Sequence, residues 1–297
     1  LQFMLDTTPA DAEKNPLKTK DLLVHDVDDD LAPIKMVWGS EEVIEDLPSG
    51  GFDGDFYVRP AWMAEDMIPF QGTLMAIDPS GKGKDETAYA IIRYCEGQLY
   101  LIDSGGYQDG FAESTLRSIA AKMARHGVNK YVCEDNYGGG MFTKVLKPHV
   151  NRLANASHDA EWNAWSSGKK EWRILDTLEP VVHSHRLVVD RKVIEKDLKQ
   201  QEKSEKYSLI HQFTRMARVK DCLPHDDRLE ALSIGVGYFT EKMDAFTLDE
   251  DEAVDEHRDK LLDQELRDWQ NHVHLPVSQS GPRGRRRSNW TGHRGGR

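Results

Sequence analysis

The chain has 297 residues, 38% of them hydrophobic, and a formal net charge of -12. Length and apolar share suffice for one large α/β domain or two small ones around an ordinary core. They exclude a helix-spanned membrane protein, because no run approaches the roughly 18 consecutive apolar residues a bilayer requires. Acidic residues stand where a secretory signal would carry basic ones. The cysteines (Cys95, Cys133, Cys222) are three and far apart, which reads against a disulfide framework or a thiolate zinc site and fits a reduced, intracellular setting. The acidity is local: residues 1–72 hold 16 acids and five bases, whereas residues 73–248 hold 25 of each. The middle of the chain is therefore electrically balanced, and the global charge does not forbid it a polyanionic ligand.

Residues 1–70, rich in Asp, Pro and Gly, read as a connector with short strands. From Leu74 the pattern becomes β-rich: LMAID (74–78), TAYAIIRYC (87–95) and QLYLIDS (98–104) read as three antiparallel strands separated by turns. FAESTLRSIAAKMARHG (111–127) places Leu116, Ile119, Ala120 and Met123 on one helical face and stops at Gly127. KYVCED (130–135) reads as a fourth strand, and MFTKVLKPHV (141–150) as a helix broken near Pro148. Segments 172–182, 186–190, 191–206 and 207–218 then alternate helix and strand. HDDRLEALSIGVGYF (225–239) spaces Leu229, Leu232 and Val236 as a helix, with Asp226 and Asp227 at its N-cap and first turn. The domain plan is a connector (1–70), an α/β domain (71–245), a charged helix (246–275) and a disordered basic tail (276–297).

Three acids distant in sequence fall at element ends: Asp78 after the first long strand, Glu134 after the fourth, and Asp226/Asp227 at the late helix. Such a set is expected to converge at one sheet edge; phosphodiester hydrolysis is served by two divalent ions held by carboxylates, and hard Mg²⁺ or Mn²⁺ takes oxygen ligands. Asp85, Glu230 and His225 are accessory candidates. Taken singly, each acid also has a plain structural reading: Asp78 before Pro79 starts a turn, Asp226/Asp227 cap a helix, and Glu134 pairs at the surface.

The flanking residues sharpen the pattern. LMAIDPSGKGKDETAYAII, YVCEDNYGGGMF and LPHDDRLEALS resemble the three nuclease motifs of phage large terminases, and the wording around them resembles those of short-tailed podophages of the autographivirus kind. The resemblance covers most of residues 1–245. It implies an RNase H-like mixed sheet, three antiparallel strands then parallel ones, flanked by helices. It also implies an endonuclease that cleaves concatemeric double-stranded DNA during viral genome packaging with two metal ions. Asp78, Glu134 and one or both of Asp226 and Asp227 would be the ligands, with Asp227 preferred because Glu230 follows it three residues on. Double-stranded DNA, a portal ring and a small terminase subunit are the implied partners, and the host cytoplasm the implied location. Large terminases also carry an ATPase with a GxxxxGK[ST] loop; no such string occurs, and SGKGKDET (80–87) lacks its spacing. The resemblance thus places Leu1 near the end of an ATPase domain.

Two basic segments suit a DNA backbone. Residues 191–220 hold nine bases against four acids, and Lys196, Lys199, Lys203 and Lys206 repeat along one expected helix face. The same residues also suit a solvated helix knitted by Glu195–Lys199 and Glu202–Lys206 pairs. The tail contributes Arg285, Arg286 and Arg287. Two other classes remain open: a phosphotransferase of the actin and sugar-kinase type, which shares the β-β-β-α-β-α order, and a non-catalytic DNA- or portal-docking module.

Overall fold

The computed structural model describes residues 14–80, 85–134, 140–160 and 169–242. Its centre is a seven-stranded sheet. The three antiparallel strands are β6 (Gly72–Asp78), β7 (Thr87–Cys95) and β8 (Gln98–Tyr107). β9 (Lys130–Cys133) lies parallel to β6, β10 (Ser157–His158) parallel to β9, and β11 (Leu187–Asp190) parallel to β8. The remaining edge strand is β1 (Leu23–His25), parallel to β11, so residues of the proposed connector enter the main sheet. The order is β1-β11-β8-β7-β6-β9-β10. Four short strands make two further hairpin-like pairs: β2 (Leu31–Pro33) with β5 (Met67–Pro69), and β3 (Met36–Val37) with β4 (Trp62–Met63).

Near-continuous apolar runs in β6 and β7 follow from burial on both faces. Alternation sends Leu74, Ala76, Ile92 and Val132 to one core, and Met75, Ile77, Ile91 and Tyr131 to the other. The second face is covered by α1 (Glu113–Arg125) and α2 (Met141–Leu153), whose buried positions include the expected Leu116, Ile119, Ala120 and Met123. Gly127 terminates α1's turn at φ 61°, a left-handed conformation that favours glycine. α2 is not broken at Pro148. The proline sits on the exposed side, while Phe142, Leu146 and Val150 stay buried and hold the turns on either side of it.

The first face carries α3 (Lys170–His183), α4 (Arg191–Lys203), α5 (Leu209–Arg215) and a helix over residues 227–242, here α6. α6 approaches the sheet closely at Gly235: a Cβ there would lie 2.6 Å from Ile92 Cδ1 and 3.2 Å from Ala76 Cβ. That glycine lets the helix settle onto the strand that ends in Asp78. The charged stretch expected to be helical as far as Lys206 ends at Lys203, because Ser204 is extended (φ -164°); Lys206 lies in a separate 3-10 turn, Glu205–Tyr207. The four lysines therefore do not share one helix face. Residues 246–275 and the tail with Arg285, Arg286 and Arg287 lie outside the described residues. No helix among the described residues is long and apolar enough to cross a membrane.

Candidate metal centre

β6 and β9 run parallel with Ile77 opposite Cys133, and Glu134 N–H donates to Ile77 O at 3.1 Å. Asp78 and Glu134 are thus neighbours just past paired strand ends. Both share the parity of Ala76 and Val132, which face the core covered by α6. Glu230, one turn into α6, reaches the same point. One carboxylate oxygen from each of Asp78, Glu134 and Glu230 lies within 4.8 Å of the other two. Asp78 is 8% exposed and Glu230 2% exposed. Burial pushes the Asp78 carboxyl well above the ordinary range, reinforced by Glu230, Glu134 and Asp227 and opposed by Lys170. Burial likewise raises Glu230, against the pull of Lys170.

A second group lies beside the first. Asp85, His225 and Asp227 also bring ligand atoms within 4.8 Å of one another. His225 Nδ1 is 3.4 Å from Asp85 Oδ1 and 3.8 Å from Asp227 Oδ2, buried and without a hydrogen-bond partner. Asp227 accepts the Glu86 backbone N–H at 3.3 Å, and burial lifts its pKa to about 6. Asp226 has no place in either group: it accepts from Lys170 Nζ at 2.8 Å. Asp227, the preferred ligand, and Glu230, the accessory candidate three residues on, fall in different groups. The spacing is still the reason both reach the sheet end, as residues three apart lie on one helical flank.

Two cations at the start of α3 escaped the sequence reading. Lys170 Nζ pairs with Asp226 and Glu230, and Arg173 pairs with Glu230 and lies 4.0 Å from Glu134. Burial alone would lower the Lys170 pKa, but Glu230, Asp226 and Asp78 reverse this and hold the ammonium charged. A Lys-x-x-Arg spacing at a helix start carries no special signal in one sequence. Only the packing of α3 beside α6 makes these two the counter-ions of the cluster.

The donors suit a divalent cation. The first group is all carboxylate oxygen, which matches a hard ion, and the second adds an imidazole nitrogen that Mn²⁺ accepts more readily than Mg²⁺. The orphaned, buried His225 Nδ1 is the kind of atom a ligand would satisfy.

The expected phosphate track is altered. Lys196 Nζ is engaged three times, with Asp103 Oδ1 (2.5 Å), Ser104 O (2.6 Å) and Tyr89 OH (3.1 Å), so its ammonium has no hydrogen left to offer DNA. Lys206 Nζ lies 4.7 Å over the Tyr207 ring. Lys199 and Lys203 are exposed and have no carboxylate partner among the described residues. Of the alternative helix-surface pairs, neither Glu195–Lys199 nor Glu202–Lys206 forms; Glu195 pairs with Arg191 instead. Residues 81–84 and 135–139, which belong to the first two motif segments, lie outside the described residues.

Residues 77–187 match the family described as the terminase of bacteriophage T7, ribonuclease H-like domain. The chain is 39% identical over 251 residues to the large terminase subunit of Enterobacteria phage T3, covering 82% of this chain and 42% of that protein. It thus spans less than half the length of that relative. Among solved structures, the human cytomegalovirus terminase nuclease domain, Mn-soaked and inhibitor-bound, aligns at 14% identity and TM-score 0.39 over 57% of this chain and 83% of that one. The nuclease domain of the large terminase subunit of bacterial virus Sf6, with manganese and beta-thujaplicinol, aligns at 12% and 0.39 over 56% and 87%.

Proposed function

Since residues 77–187 belong to the terminase ribonuclease H-like family, we propose that the chain is the cutting part of a DNA-packaging terminase, a divalent-metal-dependent endodeoxyribonuclease. The observation that carries this reading is the convergence of Asp78, Glu134 and Glu230 from three elements far apart in sequence onto one point within 4.8 Å. Asp78, Glu134 and Glu230 would hold one Mg²⁺ or Mn²⁺, and Asp85, His225 and Asp227 a second. Ions bound there supply an activated water, charge neutralisation at the phosphate and stabilisation of the leaving oxygen. The substrate is double-stranded DNA, cut from concatemers during viral genome packaging in the host cytoplasm, with a portal ring and a small terminase subunit as partners.

The protein's own groups prepare the site. Lys170 and Arg173 neutralise Glu230 and Glu134 from one side, keeping buried acids together without an ion. The backbone N–H of Glu86 fixes Asp227 Oδ2, the oxygen that lies 3.8 Å from His225 Nδ1. Ser80 N–H and hydroxyl bond to Thr87 Oγ1 at 3.1 and 3.2 Å, tying the turn that follows Asp78 back to β7.

Plasmid DNA incubated with the protein and Mn²⁺ or Mg²⁺ tests the proposal. Wild type should nick and linearise it, and Asp78→Asn should lose cutting by about two orders of magnitude or more while keeping its circular dichroism. Undiminished cutting by a folded Asp78→Asn protein, or no cutting by wild type with either ion, overturns it.

A further inference from the structure

β11 pairs with β8 at Leu99, Tyr100 and Leu101, and among the described residues no strand pairs with the β8 edge beyond them. α4 runs beside that edge, and between the two lies a cleft of about 360 Å³. Ser104, Gly105 and Gly106 line it from β8, Lys199 and Lys203 from α4, and Arg228 lines it as well. Carboxylates near the cleft are spent inward. Asp103 accepts from Tyr89, Lys122 and Lys196, with His126 at 3.5 Å. Asp197 accepts from Ser208 Oγ and the backbone N–H groups of Leu209 and Ile210. Glu86 accepts a two-pronged contact from Arg228 at 2.8 and 3.2 Å. Among the described residues, the charged groups of the cleft without a partner are Lys199 and Lys203. The cleft is also lined by Ser104, whose Oγ is buried, 5% exposed as a residue, and has no hydrogen-bond partner among the described residues. An unpaired buried hydroxyl is costly unless something outside the protein completes it.

Strand register locates the cleft relative to the acids. Asp78 lies opposite Ala88, and Ala88 opposite Gly106, so Gly106 is two strands from Asp78 at the same level. At about 4.8 Å per strand that is about 10 Å, close enough for one duplex to reach both places.

We propose that the cleft between β8 and α4 is a subsite for one backbone phosphate of duplex DNA, held by Lys199, Lys203 and the Ser104 hydroxyl about 10 Å from the carboxylates. The inference rests on the nuclease reading for its substrate. It would fix the register and tilt of the duplex without reading its sequence. Lys196 acts as a positioning residue, holding α4 against Ser104 through the Ser104 carbonyl.

Binding of a labelled duplex by the full chain in EDTA, followed by anisotropy across a salt series, tests it. Lys199→Ala/Lys203→Ala should weaken binding about tenfold and reduce the slope of log K against log salt by about 0.9 for the one phosphate lost. Ser104→Ala should weaken binding about tenfold while leaving urea stability equal or higher, because it removes an unpaired hydroxyl. A duplex with one methylphosphonate moved along the strand should lose affinity for wild type at one position and show no such loss for the double variant. Unchanged affinity and slope in the lysine variant, or unchanged affinity in Ser104→Ala, overturns the subsite. Competition by inorganic phosphate as effective as by duplex, at equal phosphate, would also overturn it in favour of a free-anion site. Because metal-free binding is the readout, wild-type cutting with unaffected variants would sink the subsite alone, and absent cutting with affected variants would sink the nuclease reading alone.

Discussion

Replacing Asp227 by asparagine should stabilise the metal-free protein while weakening its hold on a divalent ion. Asp227 is 8% exposed, and burial raises its pKa from 3.8 to about 6, with Asp226 and Asp85 adding to the rise and the Glu86 N–H and Lys170 opposing it. Two units at about 1.36 kcal/mol each make the ionised form about 3 kcal/mol less favourable in the folded chain than in the unfolded one. Asparagine keeps the shape and can still accept the Glu86 N–H. Between pH 3.8 and about 6 the folded wild type binds more protons than the unfolded chain, so its stability falls as pH rises through that window and stays low above it. The asparagine variant lacks this loss. Urea unfolding in EDTA should therefore find Asp227→Asn more stable by up to about 3 kcal/mol at pH 8, with the gap closing as pH falls toward 4. In Mn²⁺ the order should shift back, because a ligand at 100 times its Kd stabilises the folded state by about 2.7 kcal/mol and the variant should gain less. A variant no more stable than wild type at pH 8, or a gap indifferent to pH, would refute the reasoning.

The counter-ion role of Lys170 makes Lys170→Met destabilising in EDTA by about 3 kcal/mol, since Glu230 is buried and would keep only Arg173. Thermal unfolding should show part of that loss restored by Mn²⁺; an unchanged melting temperature in EDTA would remove Lys170 from that role. At Gly106 a Cβ would overlap the Glu86 carboxylate. Gly106→Ala should accordingly displace Glu86 from Arg228 and destabilise by about 1–3 kcal/mol in urea, and a variant as stable as wild type would show that Glu86 has room to move.

Much of the candidate site was legible before the fold was known. Asp78 and Glu134 announce themselves because each closes an apolar run of strand character, and strand ends in a mixed sheet are where side chains meet a ligand. The order of the six elements between Leu74 and Val150 was equally readable, as periodicity changes from two to 3.6 between them. Helix ends were less so. Proline marked a break in α2 that burial of Phe142, Leu146 and Val150 overrides, and the lysine repeat hid a stop at Ser204 that only the backbone shows.

By itself, the sequence determined the strand pattern, the helix faces and the presence of acids at element ends, because these depend on neighbours in the chain. Tertiary structure alone decided which acids meet. Glu230 joins Asp78 and Glu134 while Asp227 turns toward Asp85 and His225, an outcome set by how closely α6 settles on the sheet at Gly235. It also decided that Lys170 and Arg173 neutralise the cluster and that Lys196 is consumed by Asp103. Charge pairing acts over a few ångströms between residues tens of positions apart, a distance that chain order does not encode.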